Sequence, residues 1–187
     1  MMPRLLILAV TFVFSSSMAI AQSYAVDPVH SSIGFKVKHL ETSNFHGRFN
    51  KAQGEVKLES GAPVSVHMSV DVESIDTANK NRDAHLIGPD FFAAKDFPDI
   101  TFKSTSVKKL DDTTFEVAGD LTLHGVTKPL TVKLVKTGSG QNMQKKEIVG
   151  FETSFSIKRS DHGMTGYIDK GIGDEVTLNI SVECVKQ

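Results

Sequence analysis

Apolar and polar residues alternate one for one along most of this chain. Ile33, Phe35 and Val37 share one parity, and Ser32, Lys36 and Lys38 share the other. From Val64 to Val72 the even positions Val64, Val66, Met68, Val70 and Val72 are apolar, against Ser65, His67, Ser69 and Asp71. The same pattern runs through Ile100–Phe102, Val117–Leu123, Leu130–Leu134, Phe151–Ile157 and Val176–Val182. Phe45 to Leu58 gives two shorter runs broken by Gly47 and Gly54. Period-two alternation marks strands of an antiparallel sheet with one buried face. About eight such runs at hairpin-like spacing fit a sandwich or a closed barrel equally well.

One segment departs from the pattern. Asp76 to Asp99 has no period of two, and Asn79 to Leu86 reads as a short helix ended by Gly88-Pro89. With a further turn through Asp90-Phe91-Phe92, this makes a helical insertion around residues 79–92. A long crossing segment on an all-β domain is often functional.

The inward parity carries the candidate chemistry. Of 12 phenylalanines, Phe35, Phe102, Phe151 and Phe155 fall on it. An eight-stranded barrel has an interior that side chains just fill, or that holds one small ligand. The candidate lining of such an interior is Phe35, Val37, Phe102, Phe155 and Ile157. A filled core accounts for the same residues. Two polar residues continue an apolar parity: His39 after Val37, and Arg159 after Ile157. Buried without a partner they are costly, so the reading is a rim where a ligand headgroup meets water, or strands that end there. Arg82, Asp83 and His85 open the irregular segment and read as a headgroup clamp or latch over the barrel mouth, or as a capped helix with surface charges. His124 joins the rim set, although its parity points away from the core unless the following turn redirects it.

The beginning of the chain changes the expected compartment. Met1 to Arg4 is basic, Leu5 to Phe14 is apolar, and Ser15 to Ala21 is small and ends Ala19-Ile20-Ala21. This is the layout of a secretory signal peptide, with cleavage expected after Ala21 and a single domain over 22–187. The net charge of −1 argues against nucleic acid as the main partner. One cysteine, Cys184, excludes a disulfide framework. Seven histidines are scattered without His-x-His or His-x3-His spacing, so no metal site is expected. No G-x-S-x-G elbow, P-loop or dinucleotide fingerprint is present. The chain therefore reads as a binding protein that requires no cofactor. An enzyme using a histidine acid or base on a lipid-like substrate, and a filled barrel acting through protein contacts, are the alternatives.

Several segments together resemble YceI-like proteins. They are Tyr24-Ala25-Val26-Asp27-Pro28-Val29-His30-Ser31, Ile33 to His39, Phe45-His46-Gly47-Arg48-Phe49, Ser74-Ile75-Asp76-Thr77 and Arg82-Asp83-Ala84-His85-Leu86. Asp90-Phe91-Phe92, Phe97-Pro98, Gly119 to Pro129, Arg159-Ser160-Asp161-His162-Gly163 and Gly173-Asp174-Glu175-Val176 follow in order. His162 stands where the family pattern leads us to expect an aromatic residue. The resemblance implies an extended, lipocalin-like antiparallel barrel of about eight strands with a helical insertion. It also implies a periplasmic protein holding a polyisoprenoid or similar amphiphile, such as a prenyl-quinone, a prenyl diphosphate or a fatty-acid derivative. Homodimers occur in the family, and a membrane would enter only as the source of the ligand.

Overall fold

The computed structural model describes residues 21–187. The expected leader, apart from Ala21, lies outside the described residues. Ten strands are present among them: β1 (Gln22–His39), β2 (Ser43–Phe49), β3 (Ala52–Glu59), β4 (Ala62–Asp71), β5 (Ile75–Asp76), β6 (Asp99–Lys109), β7 (Thr114–Leu123), β8 (Val126–Gln141), β9 (Glu147–Lys158) and β10 (Ile172–Lys186). All their pairings are antiparallel.

These strands make a closed barrel with eight positions. β2 pairs with the second half of β1 and β3 with its first half, so together they fill one position. β5 is a two-residue bridge onto β2. β10 returns to β1, which closes the circuit and leaves no long open edge. Closure is what the residue pattern favours: strands with one apolar face can bury it against their own sheet once that sheet curls shut.

Bulges reset the alternation, among them one in β1 and one in β4. Asp27 pairs with Glu183 and Ser32 with Ser181, so Pro28 to Ser31 stand opposite Val182 alone. The inward positions are even before this bulge, at Tyr24 and Val26, and odd after it, at Ile33, Phe35 and Val37. In β4, Lys57 faces Ser65 but Leu58 faces Pro63. Val64 is thereby swung outward and is 41% exposed, while Pro63 turns in. The expectation of an inward Val64 is corrected by that extra residue.

The barrel has two unlike halves. Where β7 and β9 begin, Phe115, Val117, Val149 and Phe151 pack with Cys184 at 0–2% exposure. This end is solid. The other end carries the β1–β2 turn, the helix α1 (Lys80–Leu86), the loops beyond it and the β9–β10 connection. Asn79 caps α1 by accepting the Arg82 N–H at 3.1 Å. The helix matches the expected short run from Asn79 to Leu86: Asn79 is its N-cap and Ile87 its C-cap, and turns follow through Gly88-Pro89 to Asp96. No helix among the described residues is long and apolar enough to cross a membrane.

Candidate functional site

Above the solid half the barrel is hollow. A cavity of about 210 Å³ runs down from the helical cap and ends on Val56, Val66, Val117 and Phe151. All five expected lining residues face it: Phe35, Val37, Phe102, Phe155 and Ile157. Each is only half-buried, because its ring or branched end borders this space. The cap contributes Leu86, Phe91 and Phe92, and the β9–β10 connection contributes Met164. The missed lining residues at the cap lie in the segment without period-two alternation, so parity gave no signal for them.

The aromatic side chains form a chain from wall to cap. Phe35 and Phe49 lie 5.7 Å apart, and Phe92 meets Phe49 edge-on at 5.7 Å. Phe91 stacks on Tyr167 at 5.4 Å, and His85 meets both edge-on, at 5.1 and 5.5 Å. Tyr167 belongs to the β9–β10 connection, so this cluster ties the two halves of the cap together. Edge-on and stacked rings add specific attraction to their burial.

The expected polar rim is largely a set of structural ties. Arg159 is 4% exposed, not solvated at a rim. Its Nε donates to Gly173 O at 2.9 Å, and Nη1 donates to Met164 O at 3.0 Å and Gly166 O at 2.7 Å. Nη2 donates to Ile172 O at 2.9 Å. The planar fork of donors is what permits one side chain to hold four carbonyls. Burial pushes its pKa down, and the Asp174 carboxylate opposes that shift. Burial alone would raise the Asp174 pKa, yet hydrogen bonds from the Ser160 N–H (2.9 Å) and hydroxyl (2.8 Å), with Arg159 nearby, hold it below the usual value. Arg159 does border the cavity, but as the pin of the connecting loop.

Arg82 and Asp83 are also turned away from the cavity. Arg82 donates to Thr77 Oγ1 at 2.9 Å and to Thr77 O at 2.7 Å, and stacks over Phe45 at 4.4 Å. Asp83 accepts from the Thr77 N–H at 2.9 Å and from its hydroxyl. Together they latch the start of α1 to β5. His85 is exposed and pairs with Asp90 at 3.1 Å. His39 is exposed at the end of β1 and does not line the cavity. His124 is the first residue of the tight β7–β8 turn, at φ 51° before Gly125 at φ 72°. The turn redirects its ring against Phe97 at 4.6 Å, and Nδ1 reaches His162 O at 3.3 Å. His162 in turn is buried and donates from Nδ1 to Val126 O at 3.1 Å, a bond that a phenyl ring cannot make.

Two other polar features stand out. Thr153 Oγ1 is the one buried side-chain polar atom without a hydrogen-bond partner among the described residues. On the outside of the solid half, Asp27, His30 and Glu183 bring three ligand-type atoms within 4.8 Å of one another. No histidine-to-histidine spacing marks this group, because the β1 bulge assembles it. His30 Nδ1 bonds Asp27 at 2.9 Å, which raises the His30 pKa and lowers that of Asp27. None of these three residues lines the cavity.

A family model for the YceI-like domain matches residues 24–184, nearly the whole described chain. The chain belongs to the YceI-like family. A UPF0312 protein of Pseudomonas putida is 36% identical over 181 residues, covering 95% of this chain and 93% of that one. Among solved structures, BcnA of Burkholderia cenocepacia superposes with a TM-score of 0.75 at 25% identity, over 84% of this chain and 98% of BcnA. A polyisoprenoid binding domain from Saccharophagus degradans shares the fold, with a TM-score of 0.71 at 15% identity, over 89% of this chain and 99% of that domain. These likenesses agree with the barrel and favour it over a sandwich.

Proposed function

We propose that this YceI-like protein is a periplasmic binding protein that holds the tail of a polyisoprenoid or similar long-chain amphiphile in its upper barrel. The observation that carries this reading is the apolar cavity beneath the cap. An unfilled apolar space costs a fold about 24 cal/mol per Å³, so 210 Å³ corresponds to about 5 kcal/mol of packing left unrealised. A tail restores those contacts. About eight carbons, the part of a tail that 210 Å³ accommodates where about 150 Å³ takes a six-carbon ring, contribute about 6 kcal/mol on leaving water, and association costs at least about 4 kcal/mol. With the restored packing this leaves about 7 kcal/mol, an affinity of about 10 μM.

The rest of the reading follows from where polar groups are spent. Arg82, Asp83, Arg159 and His162 are committed to backbone or threonine partners. Binding energy therefore comes from the tail, and the headgroup lies at the cap with loose selectivity among quinone, phosphate and carboxylate heads. The cavity lining among the described residues is apolar apart from Thr101, Thr153 and Arg159, a surface suited to holding a tail. The likeness to the Saccharophagus degradans domain supports an isoprenoid tail. The leader-like start supports export, with the membrane as the source of ligand.

Native mass spectrometry of the full-length gene product, expressed with its leader and recovered by osmotic shock, tests this reading. The expected result is a chain beginning at Gln22 carrying an adduct that organic solvent extracts as a lipid. A protein that arrives without an adduct, and takes up neither prenyl-quinones nor prenyl phosphates, overturns it.

A further inference from the structure

The cavity exists because its largest side chains lie along the wall instead of pointing at the axis. Two rows of directly paired residues cross the inner face. One runs Gly47–Phe35–Leu178–Phe155 over β2, β1, β10 and β9. The other runs Gly54–Met68–Phe102–Leu121 over β3, β4, β6 and β7. Each row contains a glycine on which a large neighbour rests. A Cβ at Gly47 would overlap the Phe35 ring, standing 2.7 Å from Cε1. A Cβ at Gly54 would stand 2.6 Å from Met68 Sδ. Diagonally from Phe102, a Cβ at Gly119 would stand 2.6 Å from its Cζ.

We infer that Gly47, Gly54 and Gly119 are specificity-determining positions that set the bore of the cavity, and that the bore admits one slender, flexible chain such as a single prenyl or acyl tail. This rests on the reading of the cavity as a tail-binding site. Glycine weakens a strand, since it brings no side chain to pack and loses more freedom on folding. A ring laid over a glycine recovers part of that loss. Stability alone is served as well by an alanine with a smaller neighbour. A ring on a bare backbone gives in addition a flat apolar wall and an open axis. Phe35, Phe102 and Phe155 stand on the first, fourth and seventh of the eight positions, so the rings are spread around the circumference. Fused-ring amphiphiles and two-chain lipids would have to displace them.

Gly47 gives the cleanest test, because the three atoms nearest its added Cβ all belong to the Phe35 ring, whereas at Gly54 and Gly119 the nearest is a backbone oxygen. In Gly47→Ala the ring must swing off the wall, toward the axis. A benzene-sized body occupies an apolar cavity of about 150 Å³, most of the 210 Å³ present. Binding of farnesol and geranylgeraniol to wild type, Gly47→Ala and the double variant Phe35→Leu/Gly47→Ala is measured by calorimetry, with urea unfolding in parallel. Gly47→Ala is expected to weaken binding by about 100-fold at near-native stability, and the double variant to recover most of it. Wild-type binding matched by Gly47→Ala, or a double variant no better than the single one, overturns the bore assignment. Wild type that binds neither prenol overturns the tail-site reading itself. Should Gly47→Ala prove unstable, Phe35→Leu alone decides: it must admit cholesterol, which wild type excludes, and failure to do so overturns the assignment.

Discussion

Replacing Arg159 by methionine isolates the contribution of one buried cation to the whole cap. Methionine keeps much of the length and apolar stem but none of the donors. Four carbonyls, those of Met164, Gly166, Ile172 and Gly173, lose their partner. Hydrogen bonds from a charged donor contribute about 1.5–3 kcal/mol each, which sets a gross loss of about 6–12 kcal/mol. Two effects reduce it. The guanidinium need no longer be taken out of water, and the orphaned carbonyls regain water as the 163–173 segment loosens. A net loss of about 3–5 kcal/mol follows, within the range for breaking a buried polar network. In a domain of this size that lowers Tm by about 6–20 °C. Urea unfolding gives the free energy, and amide exchange reports whether protection is lost at 163–173 before the barrel strands. Arg159→Lys should recover less than half, since an ammonium cannot reproduce the fork. A loss below about 1 kcal/mol with unchanged exchange in that segment would falsify the argument that these four bonds hold the cap.

Other outcomes follow from single groups. Thr153→Val removes the buried hydroxyl that lacks a partner and should raise stability by about 1 kcal/mol in urea unfolding; a loss of stability would mean the hydroxyl is satisfied. The Cys184 thiol is fully buried, and burial, with Glu183 nearby, pushes its pKa up to about 12; it should resist thiol reagents at pH 8 until the barrel unfolds, and prompt native labelling would contradict the packing of the solid end. His30 is raised by its bond to Asp27, so it stabilises the fold fully below the unfolded histidine pKa, near 6.5, and loses that contribution as pH rises through its folded value. NMR titration should place its midpoint above that of the unfolded chain and return it toward the reference in Asp27→Asn. Asp27 itself, lowered mainly by the same bond, contributes above its unfolded pKa and loses that contribution as pH falls through its folded value.

Most of the barrel wall was legible because one inward face per strand imposes period two on the residues. The five apolar lining positions follow from that alone. Parity is silent where geometry inserts an extra residue or a returning loop. Val64 breaks the count because Pro63 takes the inward place. Arg159 continues the inward parity of β9, yet the sequence does not show the returning loop whose carbonyls surround it. His124 could be placed only after the turn geometry was known, since positive φ at two successive residues reverses its direction. The cap residues Leu86, Phe91 and Phe92 belong to a segment held by tertiary contacts, and neither helical nor strand periodicity extends through it. The Asp27–His30–Glu183 group joins positions at opposite ends of the described chain, a closeness created by barrel closure.

The division of the barrel into a dense half and a hollow half separates two demands along one axis. The dense half can supply the cooperative resistance to unfolding, so the hollow half is free to carry substitutions that reshape its contents. A barrel built this way can change the shape of its upper interior by substitution there, while the foundation below keeps it folded.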